Sequence, residues 1–109
     1  MTIENASIID GIGLDKVTGD LVLFITDRLT WEYPSYHVEC LQNKLSAYMN
    51  YLGSGQYLEQ LPDASGRARI IDLVYEHTPN DYGLEVYETA KIRLQELGVG
   101  FMFHDLSTA

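Results

Sequence analysis

Apolar positions along this chain follow two periods, and the switches between them mark out the elements. Residues 7–14, SIIDGIGL, carry Ile8, Ile9, Ile12 and Leu14 in a short β-like run that Gly11 and Gly13 weaken, as at an edge or a bulge. The set DKVTG at 15–19 reads as a turn ending in Gly19. Residues 20–27, DLVLFITD, then alternate: Leu21, Leu23 and Ile25 line one face, Val22, Phe24 and Thr26 the other. Apolar side chains on both faces predict an interior strand, and the two runs together predict a hairpin.

The period then changes to that of a helix. Pro34 suits a first turn, and Val38, Leu41, Leu45, Tyr48 and Leu52 recur at spacings of three and four. Gly53 is the expected left-handed stop. A short helical turn is expected around Tyr57 to Leu61, ended by Pro62, and residues 63–66 read as loop. Residues 68–76 return to strand, with Ile71, Leu73 and Tyr75 opposite Ile70, Asp72 and Val74. Thr78, Pro79 and Asp81 read as N-cap, first and third positions of a second long helix, whose stripe is Val86, Tyr87, Ala90, Leu94 and Leu97 and whose stop is Gly98. Residues 99–104 make the last strand, with Val99, Phe101 and Phe103 on one side.

The order β-β-α-β-α-β predicts an α+β fold, one domain over residues 1–109. It has a single sheet of about four strands with two main helices on one face, and a right-handed crossover between the last two strands if they are parallel. Strand order is not readable from the pattern.

Charge narrows the partners. Sixteen Asp and Glu against seven Lys and Arg give a formal net charge of -9, which repels phosphate backbones and anionic lipid. A basic protein is the expected partner, with neither nucleic acid nor membrane; solubility alone also accounts for the excess. Cys40 is the single cysteine, so no internal disulfide is possible. The opening MTIENASIID lacks a basic stretch before an apolar run, and no segment approaches a membrane span, so a cytoplasmic location is expected.

Candidate chemistry is sparse. His37 and Cys40, three apart on the first helix, could supply half a zinc site, but His77 and His104 are isolated, so no metal is expected. A small hydrolase using His37 with Cys40 or a carboxylate is the enzymatic alternative. Carboxylate pairs such as Glu32 and Glu39 are too common in so acidic a chain to carry weight. Asp72, in an apolar strand beside Arg69, is expected on a solvated face. Gly11-x-Gly13 lacks the third glycine and following helix of a dinucleotide fingerprint, and Gly53-Ser54-Gly55 follows a helix instead of preceding one. No cofactor is expected.

The second helix offers more. Asp81, Glu85 and Glu88 form a negative stripe that reads either as a solvated face or as a docking surface for a basic partner. Trp31 and Tyr57 stand out among the aromatics as interface anchors.

Three pieces carry a family resemblance: LVLFITDRLTW at 21–31, His37 with LQNKL at 41–45, and YLGSGQYL at 51–58. On these the chain resembles a poorly characterised family of small bacterial proteins, themselves similar to immunity proteins of contact-dependent growth-inhibition or related toxin systems. The resemblance covers roughly the first half of the chain. It implies a small, acidic, cytoplasmic, non-enzymatic protein that neutralises a toxin, such as a nuclease, by covering its basic active-site surface. It implies no catalytic residue. A third expectation is self-association, with the helix-free sheet face pairing two copies through Val22, Phe24 and Ile70.

Overall fold

The computed structural model describes residues 3–108; Met1, Thr2 and Ala109, which the reading of the amino-terminal stretch and of the domain span includes, lie outside them. Four strands form one mixed sheet in the order β1-β2-β3-β4: β1 (Gly11–Leu14), β2 (Leu21–Asp27), β3 (Arg69–Tyr75) and β4 (Val99–Asp105). β1 pairs antiparallel with β2, and β2, β3 and β4 run parallel. The helices are α1 (Pro34–Ser54), the short α2 (Tyr57–Gln60) and α3 (Asp81–Glu96). This is the α+β order the periodicity predicts.

The hairpin turn is built from its own side chains. The Asp15 carboxylate accepts from the Val17 and Thr18 amides, and Gly19 takes φ 77° to close it. Those backbone bonds hold the Asp15 carboxyl below its ordinary range. The first strand is shorter than residues 7–14, because only Gly11 to Leu14 find partners on β2.

Two helix boundaries differ from expectation. α1 runs past Gly53 and ends where Gly55 takes φ 73° and its amide reaches Leu52 O. Ser54 Oγ donates to Tyr51 O and accepts from the Gln56 amide, so the last turn is held beyond the first glycine. α3 is capped by Asn80, not Thr78: its side chain accepts from the Gly83 amide at 2.8 Å. Asp81 is therefore the first helical residue, and its carboxylate still sits at the positive end of the helix dipole.

The core lies between the sheet and the two long helices. Leu21, Leu23, Ile25, Ile71, Leu73 and Phe101 point into it from the strands, while Leu41, Tyr48, Tyr87 and Leu94 meet them from the helices. α1 covers the β2 side, where Tyr48 donates to Phe24 O at 2.5 Å, and α3 covers the β3–β4 side, where the Tyr87 ring packs on Tyr75 and Phe103. Neither long helix covers the opposite sheet face. β2 is interior in strand order, but Phe24 on its outer face is 41% exposed. The mixed apolar pattern of β2 reflects central position, not helices on both faces.

Candidate functional site

Among the described residues the core encloses Asp27, His37 and Lys44 entirely, and each ties elements together. Asp27 follows Leu21, Leu23 and Ile25 in the inward register of β2, so the strand period delivers a carboxylate under the start of α1. His37 Nε2 lies 2.6 Å from Asp27 Oδ2, and its Nδ1 lies 3.1 Å from the Thr30 carbonyl oxygen, so each ring nitrogen faces an oxygen acceptor. Tyr87 of α3 donates to the same Asp27 oxygen at 2.5 Å, and the Leu29 amide donates to the other. Burial, with the Asp27 charge adding to it, pushes the Tyr87 phenol above its usual range. One carboxylate thus joins β2, α1, α3 and the connecting loop.

Trp31 closes this knot from outside. Its ring stacks on His37 at 3.7 Å and meets Tyr87 and Tyr82 edge-on at 5.7 and 6.3 Å. A Cβ on Gly83 would stand 2.6 Å from the Trp31 ring, so glycine is what lets α3 approach. Trp31 is half-buried, with its Nε1 enclosed and unpartnered among the described residues. Tyr57, 8% exposed, belongs to the core. Tyr57 thus spends its apolar surface inside the fold, whereas Trp31 keeps part of its own at the surface.

The His37–Cys40 pairing does not form. Both ring nitrogens of His37 are bonded elsewhere, and buried Cys40 instead interacts with Tyr36, whose phenol it raises, with Glu4 adding to the effect. Among the described residues no group of three or more His, Cys, Asp or Glu could hold a metal ion. His104 is not isolated: its Nε2 lies 2.7 Å from Asp72 Oδ1 on the sheet face away from the long helices. Asp72 does face the helix-free side, but its side chain is 14% exposed and paired, not freely solvated.

Asp81, Glu85 and Glu88 are all exposed on α3, as the helical spacing requires. Of the three, Glu85 lines a groove of about 770 Å³ between α1 and α3, whereas Asp81 and Glu88 lie outside its lining. Val38, Leu45 and Met49 form its α1 wall, and Val86, Ala90 and Leu97 its α3 wall, with Tyr82 and Glu85 also lining it. Both helices follow parallel strands, so they run side by side in one direction. The stripe on α1 is rotated relative to expectation: His37, Cys40, Leu41, Lys44, Tyr48 and Leu52 face the core, which leaves Val38 and Leu45 half-exposed for the groove. Leu97, read as part of the core stripe, is exposed at the groove's end.

Sequence reasoning missed Lys44. Its ammonium is fully buried and donates to Asn5 O, Ile8 O and Asp10 Oδ1 at 2.7, 2.7 and 2.8 Å. Three donors meet three acceptors, so the charge is paired and every hydrogen used. This lashes residues 5–10 against α1. The signal was present as a lysine one turn from Leu41 and Tyr48, on the inward side of the helix.

No helix among the described residues is long and apolar enough to cross a membrane. No curated protein and no solved structure matches the chain. A family model does match, over residues 1–107, and by that match the chain belongs to the family of unknown function DUF6572.

Proposed function

We propose that this protein is a non-enzymatic binding protein that docks a basic protein partner on the α1–α3 side. In its concrete form the protein is a cytoplasmic immunity protein that neutralises a bacterial toxin, such as a nuclease domain, by covering its basic active-site surface. The observation that carries the reading is the apolar interhelical groove with the exposed carboxylate of Glu85 on its α3 wall, on a helix whose solvent side also carries Asp81 and Glu88. Apolar walls supply burial, and the carboxylates supply sign and orientation. The -9 net charge speeds encounter with a basic surface. The sequence resemblance to immunity proteins points the same way. The commitment of both His37 nitrogens to Thr30 and Asp27 favours this over the hydrolase reading, since no imidazole lone pair faces a substrate.

The test is calorimetry of the protein with the product of the adjacent reading frame, repeated at rising salt. Binding is expected to weaken with salt, and the Asp81→Asn, Glu85→Gln, Glu88→Gln triple variant to bind at least about tenfold more weakly, since rim charges act mainly through association. Absent binding, or binding indifferent to salt and to the triple variant, refutes the reading.

A further inference from the structure

We propose that the protein forms a two-fold dimer through the outer edge of β4, from Gly100 to His104, joining two sheets into one. This goes beyond the docking reading and uses the opposite flank of α3.

The two edges of the sheet are unlike. β1 has only four residues, two of them glycine, and the amino-terminal segment runs on beside β2, with the Ile3 amide bonding Thr26 O. β4 has seven residues, VGFMFHD, paired on one side with β3. Among the described residues no backbone group pairs with the other side of Val99 to His104. From Val99 to Phe103 it carries no charge and no proline, the devices that normally keep an edge strand single. Met102 on it is 48% exposed.

The edge is complementary to itself. With antiparallel pairing centred on Met102, Gly100 stands opposite the partner's His104, giving the imidazole room on the face away from the long helices. Phe101 stands opposite the partner's Phe103 on the helix face, an aromatic cross-strand pair. The helices fit the same axis. Tyr87 packs on Phe103 with ring centroids 5.2 Å apart, and α3 runs against β4. One strand residue rises about as far as two helical ones, so Met102 lies level with about position 89. Glu88 and Lys91 straddle that level on the flank turned away from α1, with Leu84, itself 45% exposed. The axis that pairs Met102 with its copy therefore brings Glu88 of each subunit toward Lys91 of the other. A surface that matches its own rotated image in backbone, shape and charge fits a second copy of this chain. The groove between α1 and α3 stays open on the far side.

Sedimentation equilibrium of the full chain reads the mass directly. A dimer of the 12.3 kDa chain is expected, tightening with salt as the like net charges are screened. Met102→Lys should raise the dissociation constant at least about tenfold while leaving circular dichroism and melting unchanged, because the position is at a surface edge. Met102→Cys should give a disulfide-linked dimer on oxidation, and Val17→Cys, at the 94% exposed hairpin tip, should not. A monomer at every concentration, a dimer that survives Met102→Lys without Met102→Cys cross-linking, or a dimer lost on Phe24→Lys but not on Met102→Lys would each overturn the proposal.

Discussion

Replacing Lys44 by Met tests whether the buried ammonium holds the amino-terminal segment in place. Met keeps most of the side-chain stem, so the perturbation removes charge and donors more than volume. What remains is a stranded Asp10 carboxylate, 5% exposed, and the Asn5 and Ile8 carbonyls without their donor. Removing one partner of a buried ion pair costs about 3–5 kcal/mol, because the other charge stays desolvated. That is a large share of the roughly 5–15 kcal/mol by which domains of this size are stable, yet small enough to leave a measurable transition. With a urea dependence of about 1–3 kcal/mol per M, the midpoint should fall by more than about 1 M. Asp10→Asn added to Lys44→Met removes the stranded charge while keeping an oxygen for the Thr26 amide, which Asp10 Oδ2 now accepts at 3.1 Å. The double variant should therefore lose less than the two single losses together, with a coupling of about 1–3 kcal/mol. Urea unfolding followed by far-UV circular dichroism gives all four corners of this cycle. A Lys44→Met cost below about 1 kcal/mol, or strictly additive losses, would refute the account of Lys44 as a paired structural charge.

Two other outcomes follow from the core. Gly83→Ala places a methyl 2.6 Å from the Trp31 ring and 2.9 Å from Pro79, so it should destabilise by about 1–3 kcal/mol and alter the near-UV spectrum of Trp31; an unchanged spectrum and melting temperature would contradict the packing. Burial raises both Tyr48 and Tyr87 above the ordinary phenol value of 10.0. Because the folded values are the higher ones, their contribution is whole below pH 10 and is lost as pH rises beyond it, the unfolded phenols ionising first. Absorbance titration at alkaline pH should show these two ionising only with unfolding, and a stability that holds level through their ionisation would be the contrary result.

Much of the fold was legible because it rests on local period. The alternation in β2 and β3, the turn at Asp15 to Gly19 and the two helical stripes each depend on neighbours within a few residues. The polar knots were not, because their partners are distant: Lys44 meets Asp10 34 residues away, and Tyr87 meets Asp27 60 away. Asp27 could have been flagged, since it continues the inward set of Leu21, Leu23 and Ile25. The Asp72–His104 pair depends on register, with Asp72 beside Met102 and His104 beside Val74, which no single strand reveals. Helix ends slipped by two residues where the chain offers competing signals, Gly53 against Gly55 and Thr78 against Asn80. Of the candidate site, the carboxylates of α3 were readable from spacing alone. The groove that Glu85 borders was not, since it exists only because α1 turns His37 and Lys44 inward and leaves Val38 and Leu45 half-exposed.

The chain's sole indole lies flat on an imidazole, at the junction of β2, α1 and α3. Nature has thereby installed a reporter dye at the point where the three elements are knotted. Its emission depends on its contact with the ring beneath it, so loosening of that junction, by a bound partner or by a mutation far away, can be watched in an unlabelled sample. Fluorescence here reads one seam of the molecule instead of an average over many.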